Sequence, residues 1–446
     1  MTSRCLKWLL FIVAASQFFS CSKNSSIALF KKLSPHDQYA QRLKDAGLDH
    51  TALGGAWLQS ASQSISKAVT ISIPYKETGF FEADKIQVTA LRFEAKRGEK
   101  LHIALNKKPE LNFRIYIDIL QQQPDQQFKT VAYADTLGIK LDYEVTRTGA
   151  YVLRLQPELL RGGQYTLSIS IGPSLHFPVS MVGHPSIGSF WGDSRDEGGR
   201  QHEGIDIFAP KGTPAIAADD GTVVNVGANK LGGNVVFMRP EGKDYTLYYA
   251  HLGKQLVHNG QTVKTGDTIG LIDNSGNAKN TPSHLHFGVY TTEGAVDPLP
   301  FVSREIKVPH PITAPLNYLN ATVRTTSEKV RLFGSPATDE KPISRLPVNT
   351  IMNVEGITTN WYRVTLPDGT KGFVNSPDVR LASSLSKVTI THAQLLYNTP
   401  DTTTASPKAS IPAGTRVNVL GEFKNYILVN DASNNTGWII VGVHGS

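Results

Sequence analysis

A mainly β chain of several modules is the fold class the sequence predicts, and three observations carry that prediction. Apolar residues alternate with period two through much of residues 68–172, the last third of the chain contains an internal repeat, and one stretch, 35–66, has helical spacing. The 446 residues exceed what one hydrophobic core serves. The 38 glycines and 25 prolines favour strands and turns over long helices. The expected architecture is an N-terminal helical segment, a β-sandwich, a β-sheet-rich central domain and two small barrels.

At the N-terminus, Arg4 and Lys7 precede the apolar run Trp8 to Ala15, the charged and apolar regions of an export signal over residues 1–20. The run is too short for a membrane span, and no other segment is long and apolar enough for one. Phe18-Phe19-Ser20-Cys21 resembles a bacterial lipobox. That resemblance implies cleavage before Cys21, lipid on Cys21, and a membrane-anchored chain at the cell envelope, with residues 21–33 as a tether. The two cysteines, Cys5 and Cys21, both fall in this region, so no disulfide framework is expected. The net charge of +7 suits anionic polymers such as cell wall, but no Lys/Arg block points to a nucleic-acid partner.

Ser34-Pro35 is a helix start signal, with proline at the first helical position. Tyr39, Leu43 and Ala46, then Leu53, Ala56, Trp57 and Ala61 after Gly47, predict a helix pair or a broken helix over 34–66. Beyond it, Val69/Ile71/Ile73, Phe113/Ile115/Ile117/Ile119, Tyr151/Leu153/Leu155 and Tyr165/Leu167/Ile169/Ile171 alternate as short strands of a sandwich over 68–174. The segments Thr148–Arg154 and Gln164–Leu167 resemble the carbohydrate-binding-like or pre-peptidase sandwiches beside secreted bacterial hydrolases. A plain spacer fits them equally.

Leu346–Gly356 lines up with Ile411–Gly421, and the register holds through Asn360/Asn425, Val364/Val429 and Gly372/Gly437. Two copies are too few for a solenoid and read as tandem barrels, over 318–382 and 387–446. They resemble bacterial SH3-like domains, a resemblance that implies binding of cell-wall peptide.

The chemistry concentrates between these flanks, in 178–302. His202-Glu203-Gly204-Ile205-Asp206 supplies an imidazole and a carboxylate, His284-Leu285-His286 two imidazoles, and Tyr249-Ala250-His251-Leu252 a further one. In an alternating strand, residues two apart share a face, so His284 and His286 project together while Leu285 and Phe287 turn to the core. Imidazole and carboxylate are good zinc donors, and three protein ligands leave a fourth position for water, as in catalytic zinc sites.

The segment resembles the catalytic domain of lysostaphin-type zinc metallopeptidases, the peptidoglycan endopeptidases that also include the LytM group. The shared landmarks are His-x-x-x-Asp followed by Ala209-Pro210-Lys211-Gly212-Thr213-Pro214, then Gly221-Thr222-Val223-Val224, Tyr249-Ala250-His251-Leu252, Gly260–Gly270 and His284-Leu285-His286-Phe287. The resemblance implies one zinc ion per chain on His202, Asp206 and His286, catalytic roles for His251 and His284, and peptidoglycan as substrate. A non-catalytic member of the same fold that binds cell wall or activates another hydrolase, a purely structural or adhesive lipoprotein, and a zinc peptidase acting on protein rather than cell wall are the competing readings. Glu203 is expected to be structural or solvent-facing, because the second histidine of a His-Glu-x-x-His motif is absent. Trp191 is expected either to line the groove or to pack, and Asn274–Ser283 to form a groove wall. His36, His50, His184, His258 and His310 lack paired ligand spacing.

Overall fold

The computed structural model describes residues 33–135 and 140–441. The export signal, Cys21 and nearly all of the tether lie outside the described residues. None of the described helices is long and apolar enough to cross a membrane.

The helical segment is a hairpin. Helix α1 (Pro35–Asp45) starts where the Ser34 hydroxyl accepts from the Asp37 amide, and helix α2 (Ala52–Ser66) where Thr51 does the same for Gly54. Between them Gly47 adopts φ +68°, which reverses the chain. Leu43 and Trp57 pack on Tyr116 of the sandwich, and the Trp57 indole donates to the Pro157 carbonyl at 2.8 Å. His36, assigned no ligand role by its spacing, is buried here. It stacks on Trp57 and bonds Gln156.

The helix pair explains a burial pattern that simple alternation would not give. Ile115–Gln122 and Gly149–Pro157 are buried on both faces, one against the sandwich core and the other under α1 and α2. These two strands are interior in a five-stranded sheet, whereas Gly163–Pro173, in the opposing sheet, alternates as far as Ile171. Leu91, Phe93, Leu153, Leu155, Leu167 and Ile169 fill the space between.

The second sheet does not stop at the sandwich. Its strand Tyr75–Phe81 pairs on one side with Gly163–Pro173 and on the other with Ile351–Thr358 of the first C-terminal barrel, making nine strands continuous. Phe333, Trp361 and Phe373 of that barrel join the sandwich core. At the junction the Arg363 guanidinium grips Glu77 with two bonds of 2.8 and 2.9 Å, and Tyr75 and Tyr165 hydroxyls donate to the same carboxylate. Both charges are essentially dry, Glu77 being 0% and Arg363 2% exposed. A Cβ on Gly356 would lie 2.6 Å from the Glu77 carboxyl carbon, so glycine is what lets the strands close over the pair. The neighbouring Glu355 carboxyl is pushed up by burial, but Lys371, Arg363 and Thr365 outweigh this and hold it down at about 2.

The repeat read in the sequence has a structural counterpart. Ile351–Thr358, Trp361–Thr365 and Lys371–Asn375 form a meander, as do Arg416–Phe423, Tyr426–Asn430 and Thr436–Ile440, and each breaks register at the equivalent point, after Val354 and after Val419. Tyr397, Phe423 and Trp438 of the second copy pack into the core of the first.

The central domain is a ten-stranded sheet whose middle runs Ser186–Ser189, Ile205–Phe208, His284–Thr291, Tyr245–Gln255, Gly233–Pro240, Gly221–Asn229. Ile205, Ile207, Leu285, Phe287, Leu247 and Val289 are 0% exposed and form its core. It leans on the sandwich through Phe301 against Gly98 and through Arg97–Asp244 and Lys243–Glu144 ion pairs.

Candidate metal centre and cleft

Register brings the polar groups together. The strand Ile205–Phe208 is antiparallel to His284–Thr291, with Asp206 opposite His286 and Phe208 opposite His284. Opposed residues project from the same face of a sheet, so the carboxylate and the imidazole meet while their flanking residues turn inward. On the other side Ala250 pairs with His286, one residue before His251. There the Tyr245–Gln255 strand slips register against Gly233–Pro240, and His251 takes φ +62°. A bulge of this kind re-aims a side chain, and here it swings the His251 ring to the side of His284, ring centroids 4.9 Å apart.

His202 arrives from the loop before the Asp206 strand. Its Nε2 lies 3.0 Å from Asp206 Oδ1 and 2.9 Å from His286 Nδ1, and His286 Nδ1 lies 3.1 Å from the same oxygen. Three donors about 2 Å from a common centre make a triangle with sides of roughly this size, so the donor set fits a zinc-type ion in both chemistry and spacing. Among the described residues, this trio is the one group of three or more His, Cys, Asp or Glu side chains gathered closely enough to hold a metal.

The tautomers follow from backbone acceptors. Nδ1 of His202 lies 2.8 Å from the Phe190 carbonyl, Nδ1 of His251 2.8 Å from the Ser275 carbonyl, and Nδ1 of His284 2.8 Å from the Pro282 carbonyl. A carbonyl accepts only, so each of these Nδ1 atoms carries a proton, and Nε2 is the nitrogen turned toward the cluster. Burial presses the His251 imidazole down to about 4, with the nearby His284 and His286 adding to the shift against the Ser275 carbonyl, so it is neutral at pH 7. Burial likewise lowers His286. For Asp206 burial acts upward, yet hydrogen bonds with His202 and His286 hold the carboxyl far below the usual range.

The cluster lies in a cleft of about 1040 Å³. One wall is the Asn229–Gly232 turn, another is Asn277, Ala278, Thr281 and Pro282, and Phe237, Tyr248 and Tyr290 supply an aromatic flank. The Asn274–Ser283 loop therefore does form a wall. Glu203 is exposed at the rim, and Trp191 is half-buried and not part of the lining. Two contributors had no legible signal. Arg195, 2.8 Å from Asp206 Oδ2, sits in a polar turn where an arginine is ordinarily solvated, and the Phe190 carbonyl has no side-chain identity to read.

Residues 200–298 match the family model described as Peptidase family M23, and residues 328–380 match that of the Bacterial SH3 domain. Residues 200–298 are an M23 peptidase domain. All five residues singled out above fall inside this M23 segment. The chain is 38% identical over 136 residues to the L-Ala–D-Glu endopeptidase of Bacillus subtilis, covering 28% of this chain and 41% of that protein. It is 41% identical over 88 residues to the peptidoglycan DD-endopeptidase ShyC of Vibrio cholerae, covering 20% of each. The chain thus spans well under half the length of these relatives. Among solved structures, the catalytic domain of lysostaphin from Staphylococcus simulans aligns at 31% identity and a TM-score of 0.25, covering 26% of this chain and 92% of that one. The second C-terminal repeat lies beyond the matched SH3 segment, and its relation to the first rests on the shared meander and bulge.

Proposed function

We propose that this protein is a zinc-dependent endopeptidase that hydrolyses peptide bonds in peptidoglycan stem or cross-link peptides at the cell envelope, held to a membrane by lipid on Cys21. The observation that carries the reading is the His202/Asp206/His286 triangle opening beside two imidazoles, His251 and His284, whose Nδ1 atoms are each tied to a backbone carbonyl. One zinc ion held by the triangle would acidify a water and polarise the scissile carbonyl. The chain's own part is proton handling: Nε2 of His251, kept neutral by burial, and Nε2 of His284 are the available acceptors, and either becomes a donor to the leaving amine once protonated. Phe237, Tyr248 and Tyr290 line one flank of the cleft and offer an apolar face to a bound peptide. Peptidoglycan as substrate is supported by the endopeptidase relatives and by the SH3 segment, for which we propose a cell-wall-peptide-binding role.

The decisive experiment is a zinc stoichiometry measurement followed by mass spectrometry of digested sacculi, with and without chelator, which also identifies the bond cut. A metal-free protein with full activity would overturn the reading. His251→Ala and His284→Ala are each expected to keep zinc while losing about 10²–10⁴ in kcat, the usual worth of a positioned acid or base. Gly204→Ala is expected to lower kcat/KM by about 10²-fold, the cost of a misplacement near 1 Å. The cause is steric, since a Cβ there would lie 2.6 Å from the Phe287 carbonyl oxygen and 2.7 Å from Cε1 of His286. A Gly204→Ala protein as active as the parent would show that His286 has room to shift.

A further inference from the structure

We infer that Arg195 is a positioning residue of the metal centre: it fixes the Asp206 carboxylate so that one oxygen faces the ion and the other is withdrawn. The inference rests on the reading of His202, Asp206 and His286 as metal ligands and extends it to a group outside that set.

The two oxygens of Asp206 have separate surroundings. Oδ1 faces His202 Nε2 and His286 Nδ1 at 3.0 and 3.1 Å, whereas Oδ2 accepts from Arg195 Nη2 at 2.8 Å. The same Nη2 donates to the Ser189 hydroxyl at 2.6 Å, which donates to Asp193 Oδ2 at 2.7 Å. Asp193 Oδ2 also accepts from the Phe190 amide at 2.8 Å, and the Phe190 carbonyl is the group that fixes His202. The amide of His202 closes the loop by donating to the Asp193 carbonyl at 2.9 Å. One short turn therefore orients two of the three ligands, with the guanidinium as its link to the carboxylate.

Two effects of Arg195 oppose each other at the ion. Its positive charge repels a cation, while its hydrogen bond removes the rotational freedom of a carboxylate that would otherwise turn or chelate through both oxygens. The side chain is 27% exposed, so water screens much of its charge, whereas the Asp206 side chain is only 10% exposed and its short charge-assisted bond is little weakened. Ordering wins on this account, and outer partners of metal-bound carboxylates are known to be worth about 10–100-fold in affinity.

The test is zinc affinity of the purified full chain, measured by competition with a chromogenic chelator, for the parent, Arg195→Ala, Arg195→Gln and Lys230→Ala. Lys230 lines the same cleft but lies apart from the Asp206 contacts. Both Arg195 variants should bind zinc about 10–100-fold more weakly and Lys230→Ala within about threefold of the parent. Melting of the metal-free proteins establishes that the variants fold. The visible spectrum of the cobalt-substituted protein should change in Arg195→Ala, as the carboxylate alters its mode of binding. Folded Arg195 variants with parental affinity and an unchanged cobalt spectrum would overturn the inference while leaving the peptidase reading intact. A parent chain that binds no zinc would overturn both.

Discussion

His286→Ala is expected to abolish zinc binding at stoichiometric levels and to reduce release of soluble muropeptides by about 10³-fold or more, the several kcal/mol that metal assistance supplies. The side chain is the corner of the triangle shared by two strands: Asp206 opposes it on one side and Ala250 on the other. Tyr248 meets its ring edge-on at 5.8 Å. His284 Nε2 is already 3.8 Å from Asp206 Oδ1 and is the nearest substitute, but its Nδ1 is tied to Pro282. Metal content by mass spectrometry and muropeptide release by chromatography test the two halves separately. A variant that keeps its zinc and its activity would remove His286 from the ligand set.

Arg363→Ala is expected to destabilise the sandwich–barrel junction by about 3–5 kcal/mol, because removing one member of a buried pair strands the other. The stranded group is Glu77, 0% exposed, left with only the Tyr75 and Tyr165 hydroxyls. A chain of several modules does not unfold in one step, so the measurement is the denaturant midpoint followed by hydrogen-exchange protection of the paired strands Tyr75–Phe81 and Ile351–Thr358. The double variant Glu77→Gln/Arg363→Met should cost less than the two single changes added, since no unpaired charge then remains. A parental midpoint for Arg363→Ala would mean that the continuous sheet holds the modules together without the ion pair.

Part of the cleft's arrangement is legible in local sequence spacing. Period-two spacing sets His284 and His286 on one face and Leu285 and Phe287 on the other, and the latter two are indeed 0% exposed. The repeat of Leu346–Gly356 in Ile411–Gly421 was readable because both copies conserve the same strand, bulge and glycine pattern. The pairing of Asp206 with His286, 80 residues away, was not, since register between distant strands depends on which strands become neighbours.

The same division runs through the whole chain. Local pattern, which depends on a few consecutive residues and their preferred faces, is sufficient for the β-rich class, the helix start at Ser34-Pro35, the repeat and the shared face of His284 and His286, whereas the full set of five polar residues came from resemblance to a family. Contacts between remote segments decided the rest. The sandwich and the first barrel, expected from alternation and from the repeat as separate units, share one sheet and one core, because a free edge strand at Tyr75–Phe81 is satisfied by Ile351–Thr358. The left-handed turn of His251, the carbonyls that set three histidine tautomers, and the grip of Arg195 on Asp206 likewise come from neighbours in space. A residue's identity carries its chemistry, but the protonation, orientation and partner of each group are set by packing, which no short window of sequence contains.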